Sequence, residues 1–513
     1  MFTSAQLKQL SDRGISPELA LGQLEIFRKG IAPVSLVKPA IPGDGIEVYD
    51  IKQIDNYVNL FRKEQHGIPV VKFVPASGAA SRMFKQLFEA LELFNNNTGK
   101  AASVLSKTPE LAGFFEDLKN YPFYKDLAAV SIATGSDPDS LIASENYAEL
   151  LSLFLSSKGL SYGDLPKGLL KFHNYPEGAR TAFEEHFVEA ALYLRDGNHH
   201  IKLHFTVSPE HRKLFESLAA ELTKKYKERE GLHFDVDFSE QKPSTDTLAA
   251  DMENNPFLLD QGKLLFRPGG HGALLDNMQD LNESMAFVGN IDNISPDRVK
   301  AQRVRYKQLL GGILIERVQI IHSFLKQMEH GISTRLKSEI TEFVERFISA
   351  SSAAELSTLS EKDFVIRAEA ILDRPIRVCG MVKNVGEPGG GPFWISDKNG
   401  AISKQIVESS QVDLSDSRQD KIFREATHFN PVDMACFTRD YKGEKFHLEK
   451  FRDPDMAFIA VKSQGGSSLK ALELPGLWNG SMAGWLTFFV DVPIETFSPV
   501  KTIFDLRREE HKS

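Results

Sequence analysis

Two patterns of apolar residues alternate along the chain, and each predicts one type of secondary structure. Stretches in which apolar residues recur every three or four positions predict helices, from Met83 to Phe94 and over much of 297–350. Short continuous apolar runs predict buried strands at 70–74, 201–207, 234–238 and 285–289. Strands that alternate with helices in this way are typical of an α/β fold with a mostly parallel or mixed sheet.

The same patterns predict three regions. Residues 1–65 are expected to form a helical arm that is interrupted by Gly30 and by prolines. Residues 66–350 are expected to form the α/β core, with a helical insertion at about 95–165. A Ser/Ala-rich junction follows, and residues 361–513 are expected to form a C-terminal part that contains strands.

Length and composition limit the classes of protein that remain. At roughly 100–200 residues per domain, 513 residues allow two to four domains or one heavily elaborated domain. Hydrophobic residues make up 42% of the chain, which excludes global disorder. The net charge of -9 argues against a nucleic-acid partner, because such proteins need a basic face to displace counterions from phosphates.

The cysteines and the N-terminus bear on the cellular compartment. Only Cys379 and Cys436 are present, so a disulfide framework is excluded, and two reduced, buried thiols are favoured over one isolated bridge. The first ten residues do not combine a basic region with an apolar run, and no apolar stretch approaches the ~18–20 residues that span a bilayer. These features predict a cytoplasmic protein with no membrane partner.

A loop of small residues follows the first predicted strand and precedes a helix. Its residues are Ser77, Gly78, Ala79, Ala80, Ser81 and Arg82. Strand, small-residue turn and helix together direct backbone N–H groups and a helix N-terminus toward a phosphate. A tight connection without a ligand is the other interpretation, because small residues often follow a strand in such turns. The loop lacks both the Walker pattern and a true GxGxxG, which argues against a P-loop kinase and a Rossmann dehydrogenase.

Two further candidate sites are a glycine-rich loop and an aspartate that follows a predicted strand. Gly269, Gly270 and His271 lie in a glycine-rich loop that permits close approach of the backbone to a flat base, or forms an ordinary turn. Asp292 follows the strand predicted at 285–289, where open α/β sheets bind ligands. Its hard carboxylate suits Mg²⁺, whereas capping of the next helix is the alternative role.

The order of the motifs resembles that of the sugar-nucleotide pyrophosphorylases, most closely the UDP-sugar branch. The loop at 77–82 is similar to the opening signature of that family. The later matches are Pro166-Lys167, Gln241 followed by Pro243, 268–272, Asn290-Ile291-Asp292-Asn293, Phe429-Asn430 and the ending at 497–506. The full-length pattern also resembles a bacterial family that is described only as a domain of unknown function.

The resemblance implies a fold and a reaction. The fold is the nucleotide-diphospho-sugar transferase type (GT-A, Rossmann-like), in which the C-terminal part completes the sugar and phosphate side of the cleft. The reaction joins a nucleoside triphosphate, with UTP favoured, to a sugar 1-phosphate and releases pyrophosphate, with Mg²⁺ as cofactor. Such phosphoryl chemistry depends on positioning and charge neutralisation.

The resemblance also assigns roles to individual residues. It makes Arg82, Lys167 and Lys501 catalytic and Asp292 the metal ligand. It assigns nucleotide binding to the loop 77–81 and to Gln241, Gly269, Gly270 and His271. It assigns sugar binding to Asn384, Gly390 and Asn430.

One residue of the loop differs from the family pattern, and several acidic and histidine residues are expected to have no catalytic or metal-binding role. A methyl group at Ala80, where the family has glycine, is expected to crowd a phosphate. This change motivates an alternative function, a non-catalytic protein that binds a nucleotide or sugar nucleotide. Glu184 and Glu185 are expected to form a solvated helix face, and the spacing of His173 and His186 does not make a metal pair.

Overall fold

The computed structural model describes residues 2–78, 80–96, 101–386 and 389–512. The chain divides into two compact units. The first unit comprises Met1–Val71, Ser239–Val288 and Lys307–Ile494, and the second comprises Lys72–Phe238, Gly289–Tyr306 and Glu495–Ser513. Both units are therefore assembled from segments that are far apart in the sequence. The three-region division expected from the sequence stays a prediction.

Helices and strands alternate along the described residues. The α-helices are α1 Ser4–Arg13, α2 Pro17–Lys29, α3 Ile51–Glu64, α4 Lys85–Asn96, α5 Ala101–Lys107, α6 Pro109–Glu116, α7 Tyr124–Ala133, α8 Pro138–Ala143, α9 Tyr147–Leu155, α10 Ala182–Tyr193, α11 Arg212–Glu230, α12 Leu274–Asp280, α13 Asp297–Glu329, α14 Thr334–Phe347, α15 Ala350–Thr358, α16 Glu361–Leu372 and α17 Ser417–Arg424.

The β-strands include all four that the apolar runs predict. They are β1 Ser35–Pro39, β2 Ile41–Pro42, β3 Gly45–Glu47, β4 Val70–Pro75, β5 Lys171–His173, β6 Arg180–Thr181, β7 His200–Thr206, β8 His233–Ser239, β9 Thr247–Ala250, β10 Phe266–Arg267, β11 Met285–Gly289, β12 Ile376–Lys383, β13 Gly391–Ser396, β14 Ile402–Val407, β15 His428–Phe429, β16 Asp433–Phe437, β17 Phe458–Gln464, β18 Ser467–Glu473 and β19 Leu486–Asp491.

The second unit contains a parallel pair of strands, a third strand beside it, and the helices that connect them. Strand β4 pairs in parallel with β7, from Lys72↔Leu203 to Pro75↔Thr206, and β8 is the next strand in the order. Val71, Phe73 and Val74 are fully buried, as expected of a strand covered on both faces. Helix α10 precedes β7, and α11 connects β7 to β8. This part of the α/β prediction is confirmed.

The predicted helical insertion forms part of the core of the second unit. Helices α4 to α9 surround an aromatic cluster in which the rings of Phe123 and Phe154 are 4.4 Å apart. The same cluster contains the buried side chains of Val500, Ile503 and Leu506 near the end of the chain. The insertion therefore packs directly against residues of the last predicted motif.

The first unit contains a mixed sheet and two smaller antiparallel sheets. Its strands follow the order β2-β3-β19-β12-β16-β11, with β12 parallel to β19 and antiparallel to β16. Cys379 on β12 and Cys436 on β16 are buried free thiols, which confirms their predicted state. The fold as a whole is mixed α/β.

The N-terminal arm differs from the sequence prediction in one stretch. Helices α1, α2 and α3 are present, but residues 35–47 form three short strands. Pro39 and Pro42 lie in these strands, and proline favours an extended conformation in the residue before it. Among the described residues, no helix has both the length and the apolar composition that a membrane span requires.

Candidate functional site

The chain returns to the small-residue loop after the helical insertion. The backbone N–H of Lys167 donates to the Gly78 carbonyl at 3.4 Å, although the two residues are separated by helices α4 to α9. The Pro166-Lys167 motif and the loop at 77–82 are thus brought together, as the family resemblance requires.

The ammonium group of Lys167 links two further motifs. Its Nζ donates to Asp292 Oδ2 at 2.6 Å and to the Val500 carbonyl at 2.8 Å. The side chains of Lys167 and Asp292 are 15% and 20% exposed, so the pair is partly shielded yet accessible to a ligand. Three of the predicted motifs therefore meet at one ammonium group within the second unit.

The turn at 290–293 pairs with the residues around Val500. The Val500 N–H donates to the Asp292 carbonyl at 3.0 Å, and Asn293 forms an isolated β-bridge with Pro499. Asn293 Oδ1 accepts from the Ser498 N–H at 3.0 Å and from Arg303 at 3.0 Å. These bonds fix the backbone that positions Asp292.

Gly168 explains how the Pro-Lys motif approaches its neighbours so closely. A Cβ atom at position 168 would lie 2.8 Å from Phe215 Cε1 and 3.3 Å from Ile291 Cγ1. Phe215 on α11 is fully buried, and Ile291 belongs to the same turn as Asp292. The position therefore has no room for a side chain beside the candidate catalytic lysine.

We expect Gly168→Ala to destabilise the protein by about 1–3 kcal/mol, the usual cost of overpacking a core. Urea unfolding of the variant and the wild type measures this change. Gly113→Ala is the matched control, because a Cβ there meets nothing within 4 Å and the residue lies in helix α6. The control should be as stable as the wild type or up to about 1 kcal/mol more stable, because alanine favours a helix. If Gly168→Ala unfolds at the urea concentration of the wild type, the close approach at Gly168 has no energetic importance.

The loop itself is divided between core and surface. Ser77, Gly78, Ser81 and Arg82 are exposed, and the Arg82 guanidinium has no partner among the described residues. Ala80 is fully buried in the aromatic cluster of the insertion. The expectation that its methyl group crowds a phosphate is therefore wrong, because that methyl points into the core. Ala79 lies outside the described residues.

Lys501 lies next to Val500 on the segment that contacts Lys167. Its backbone N–H and that of Thr502 donate to Asp505 Oδ2 at 2.8 and 2.7 Å, which fixes the chain at this point. Its ammonium lies 5.9 Å from the ring centroid of Phe497, and the residue is partly exposed. The structure thus places Lys501 adjacent to a residue that binds Lys167, within the second unit.

The residues expected to bind the base belong to the first unit. Gly269 is buried, and a Cβ there would lie 2.5 Å from the Thr245 carbonyl. Gly270 has a φ of +75°, which favours glycine. Gln241 Nε2 donates to Thr245 Oγ1 at 3.4 Å. The glycine loop therefore has a packing reason of its own, and nucleotide binding by these residues stays a prediction.

His271 packs against the chain around Trp478 in the first unit. The two ring centroids are 4.3 Å apart, and His271 Nδ1 accepts from the Leu477 N–H at 3.3 Å. Burial lowers the pKa of His271, which favours the neutral ring at pH 7. Because Nδ1 accepts a hydrogen bond, the hydrogen of the neutral ring is on Nε2. In this state His271 has one N–H group to offer a ligand.

The residues expected to bind the sugar differ in exposure. Asn384 is exposed, and its Oδ1 accepts from the Gly386 N–H at 2.9 Å. Gly390 is buried, and its carbonyl accepts from the Asn430 N–H at 2.8 Å. The buried Asn430 amide donates to the Gly380 carbonyl and accepts from the Val432 N–H. Asn430 thus has a structural role, and sugar binding by the three residues stays a prediction.

Helix α10 contradicts the expectation of a solvated acidic face. Glu184 and Glu185 are 6% and 0% exposed. Glu184 accepts from Lys225 and Tyr226, and Glu185 accepts from Tyr175 and Lys300. Burial is possible because each carboxylate has charged or hydroxyl partners, which come from segments distant in the sequence and which the local pattern does not reveal.

The metal prediction depends on Asp292 alone. Among the described residues, no group of three or more histidine, cysteine, aspartate or glutamate residues could hold a metal ion. This donor set still fits Mg²⁺, which often binds through one or two carboxylates together with substrate phosphates and water. Asp292 is partly exposed and accepts a cation, the Lys167 ammonium, at 2.6 Å.

Comparisons with known proteins give a family and distant structural likenesses. A family model described as a domain of unknown function, DUF4301, matches residues 3–512. No curated protein matches the chain.

The solved structures that are similar to the chain share 12% sequence identity with it. They include a variant of UDP-glucose pyrophosphorylase from Leishmania major in complex with UDP-glucose, covering 99% of this chain and 79% of that one with a TM-score of 0.43. The uridine diphosphate N-acetylglucosamine pyrophosphorylase from Trypanosoma brucei covers 98% and 79%, with a TM-score of 0.48. A putative UDP-N-acetylglucosamine pyrophosphorylase from Entamoeba histolytica covers 90% and 82%, with a TM-score of 0.40.

Proposed function

The chain belongs to the DUF4301 family, and we propose that it is a Mg²⁺-dependent nucleotidyltransferase that joins a nucleoside triphosphate to a sugar 1-phosphate. The observation that carries this proposal is the meeting of Lys167, Asp292 and the Val500 carbonyl, with Lys501 next along the chain. Two lysines and one carboxylate in a partly exposed site suit a reaction between two anionic phosphates. The ordered motif resemblance supports the same reaction, with UTP as the favoured nucleotide.

The reaction requires no protein nucleophile. A phosphate oxygen of the sugar 1-phosphate attacks the α-phosphorus of the triphosphate and forms a new P–O bond. The bond from that phosphorus to the bridging oxygen of the β-phosphate breaks, and pyrophosphate leaves with the electron pair. Charge develops on the oxygens around the α-phosphorus, so fixed cations accelerate the step.

Lys167 is proposed to stabilise that developing charge. In the structure its ammonium is neutralised by Asp292, and the flexible lysine stem allows it to turn toward a phosphate oxygen. Arg82 offers an exposed guanidinium that can bind a phosphate with two parallel hydrogen bonds. Lys501 is proposed to hold the sugar phosphate.

Asp292 is proposed to hold Mg²⁺ when the nucleotide binds. The ion, when bound, supplies neutralisation of the reacting phosphates. If the ion bound through Oδ2, the oxygen that accepts from Lys167 in this structure, the Lys167 ammonium would be released toward a phosphate oxygen. The β-bridge between Asn293 and Pro499 keeps the Asp292 backbone in place during this exchange.

We expect Asp292→Asn to weaken nucleotide binding in Mg²⁺ by about tenfold to a hundredfold, the size of one lost charge-assisted contact. Calorimetry of the two proteins with UTP measures the change. In EDTA the variant should bind no more weakly than the wild type, because Lys167 is no longer paired with a carboxylate.

Asp126→Asn is the control for this measurement. Asp126 pairs with Lys171 at 2.5 Å and is 39% exposed, so its loss should leave both affinities unchanged. Equal affinities of Asp292→Asn and wild type in Mg²⁺ would remove Asp292 from the metal site.

A binding protein without turnover is the alternative function. Lys167 donates to Asp292 and to the Val500 carbonyl, and in this alternative both hydrogen bonds persist when a nucleotide binds, so that the ammonium does not reach the α-phosphate. The two functions differ in one result. Both predict nucleotide binding, and only the nucleotidyltransferase predicts release of pyrophosphate when a sugar 1-phosphate is added.

A further inference from the structure

Two buried histidines join the end of the chain to the interior of the second unit. His173 on β5 is 0% exposed and His511 is 3% exposed. Their rings are nearly parallel, with an interplanar angle of 20°, and His173 Nε2 lies 3.0 Å from His511 Nδ1. A contact between residues 338 positions apart ties the last turn of the chain in place.

The hydrogen on each ring nitrogen follows from the neighbouring carboxylate. The carboxylate of Glu185 lies 2.9 Å from His173 Nδ1, so that nitrogen carries a hydrogen and donates it. In the neutral ring His173 Nε2 is therefore an acceptor, and His511 Nδ1 is the donor between the rings. If both rings were protonated, two N–H groups would face each other and the hydrogen bond would be lost.

Burial is the main reason that the pair resists further protonation. Burial lowers the pKa of His173 despite the attraction of Glu185. Burial, then the adjacent His173, lowers the pKa of His511 to about 3. The Pro499 carbonyl acts in the opposite direction on His511. The titratable or charged groups that face the pair are Tyr175, Arg180, Glu185, Asp297, Lys300, Arg303 and Arg508.

The last part of the chain contains the C-terminal segment, residues 497–503, which takes part in the proposed active site. Its backbone N–H groups at Val500 and Ile503 donate to Asp292 and Met83. Its Val500 carbonyl accepts from Lys167. The segment continues through two short turns, 503–507 and 509–511, to His511. The ring of His511 thus lies between the segment, at Pro499, and the buried His173.

We propose that His511 and His173 are positioning residues that hold the C-terminal segment against Asp292 and Lys167 while both rings are neutral, and that acidification loosens the segment. The cluster that contains Val500, Ile503 and Leu506 is built mainly from residues of helices α4 to α9, so the segment is expected to loosen while the rest of the unit stays folded. The effect on catalysis rests on the proposed function, whereas the loosening itself does not.

The direction and the pH range follow from linkage. We call the segment docked when it lies against Asp292 and Lys167. A histidine whose pKa is lower in the docked state than its ordinary value of about 6.5 contributes its full stabilisation of docking at pH values above about 6.5. The contribution is lost as the pH falls below about 6.5 toward the docked value, near 3 for His511. Between pH 7.5 and pH 5.5 His511 should raise the opening equilibrium of the segment about tenfold, and His173, whose pKa is also lowered, should act in the same direction.

Hydrogen–deuterium exchange of the full chain at pH 7.5 and 5.5 tests the proposal. The readouts are the amides of Val500, Lys501, Thr502 and Ile503, corrected for the intrinsic pH dependence of exchange. In the wild type we expect their protection to fall by at least about tenfold at pH 5.5. Unchanged corrected protection in the wild type would overturn the proposal without any variant being needed.

Two variants at one position separate the titrating ring from its packing. His511→Asn keeps an N–H donor near the Nδ1 position and takes up no proton, so it should retain protection at pH 7.5 and lose most of the acid response. His511→Leu should exchange fast at both pH values. His66→Gln, at an exposed position of the first unit, should behave as the wild type. An acid response in His511→Asn as large as in the wild type would contradict the role of His511.

A kinetic measurement distinguishes failure of this inference from failure of the proposed function. The kcat/KM of the wild type should fall below pH 6.5, and that of His511→Asn should fall less. Exchange that responds to acid in a protein without turnover supports the positioning pair and removes the proposed function. Turnover together with an exchange pattern that does not respond to acid supports the proposed function and removes the positioning role of the two histidines.

Discussion

Replacing Lys167 with alanine should lower kcat/KM about 100- to 1,000-fold, equivalent to about 2.7–4 kcal/mol of transition-state stabilisation. Lys167 donates to Asp292 and to the Val500 carbonyl in a partly shielded site, where a fixed cation acts more strongly than it does in water. Steady-state kinetics of pyrophosphate release measure the change. The effect should appear in kcat and only weakly in KM, because the charge that Lys167 stabilises develops in the transition state.

Two further variants make this result specific. Lys167→Met keeps most of the aliphatic stem and removes the ammonium, so it should lose as much activity as the alanine variant. Lys171→Ala removes a nearby lysine that pairs with Asp126, outside the proposed site, and should retain wild-type kinetics. If Lys167→Met and Lys171→Ala lose activity equally, Lys167 has no special role in the reaction.

Replacing Glu185 with alanine should lower the free energy of unfolding by about 3–5 kcal/mol, the typical cost of breaking a buried ion pair. Glu185 is fully buried and accepts from His173, Tyr175 and Lys300. Without it, the buried ammonium of Lys300 loses its closest counter-charge. Urea unfolding at neutral pH measures the loss.

A control variant at an exposed glutamate and the pH dependence of stability test this prediction further. Glu177→Ala is the control, because Glu177 is 48% exposed and its pair with Arg180 should contribute less than about 1 kcal/mol. Burial alone would raise the pKa of Glu185, but His173 and Lys300 outweigh burial and lower it to about 2. The stabilisation by Glu185 should therefore be present at neutral pH and decline as the pH falls from about 4.5 toward 2. Equal destabilisation by the two alanine variants would show that the buried network does not stabilise the fold.

Local patterns in the sequence predicted much of the fold. The strands at 70–75, 200–206, 233–239 and 285–289 and helices α4, α11 and α13 depend on apolar periodicity, which neighbouring residues determine. The strands at 35–47 were not predicted, because Ser35–Pro39 pairs with β13, more than 350 residues later. Pairing at that distance leaves no local pattern.

The candidate site was predictable only where its residues belong to sequence motifs. Motif order indicated that Lys167, Asp292 and the segment near Lys501 belong together, and the structure brings Lys167, Asp292 and Val500 into contact. The Val500 carbonyl was missed, since any residue has a carbonyl and its position depends on the fold. His511 was missed because its partner, His173, lies 338 positions away and neither residue belongs to a motif.

Ala80 shows why a motif difference can mislead. A methyl group in a phosphate-binding loop suggested steric conflict with a ligand. In the structure Ala80 is fully buried in the hydrophobic cluster that also contains Phe114 and Phe154 of the insertion. The alanine at position 80 is therefore no evidence against phosphate binding.

The most direct test of the proposed function follows the α-phosphate. The wild-type chain is incubated with Mg²⁺, a panel of sugar 1-phosphates and nucleoside triphosphates that are labelled at the α-phosphate. The nucleotidyltransferase predicts that the label moves into a nucleoside diphosphate sugar, with UTP favoured, while unlabelled pyrophosphate is released. Label that remains in the triphosphate across the whole panel, or that appears only in a nucleoside monophosphate, would contradict it.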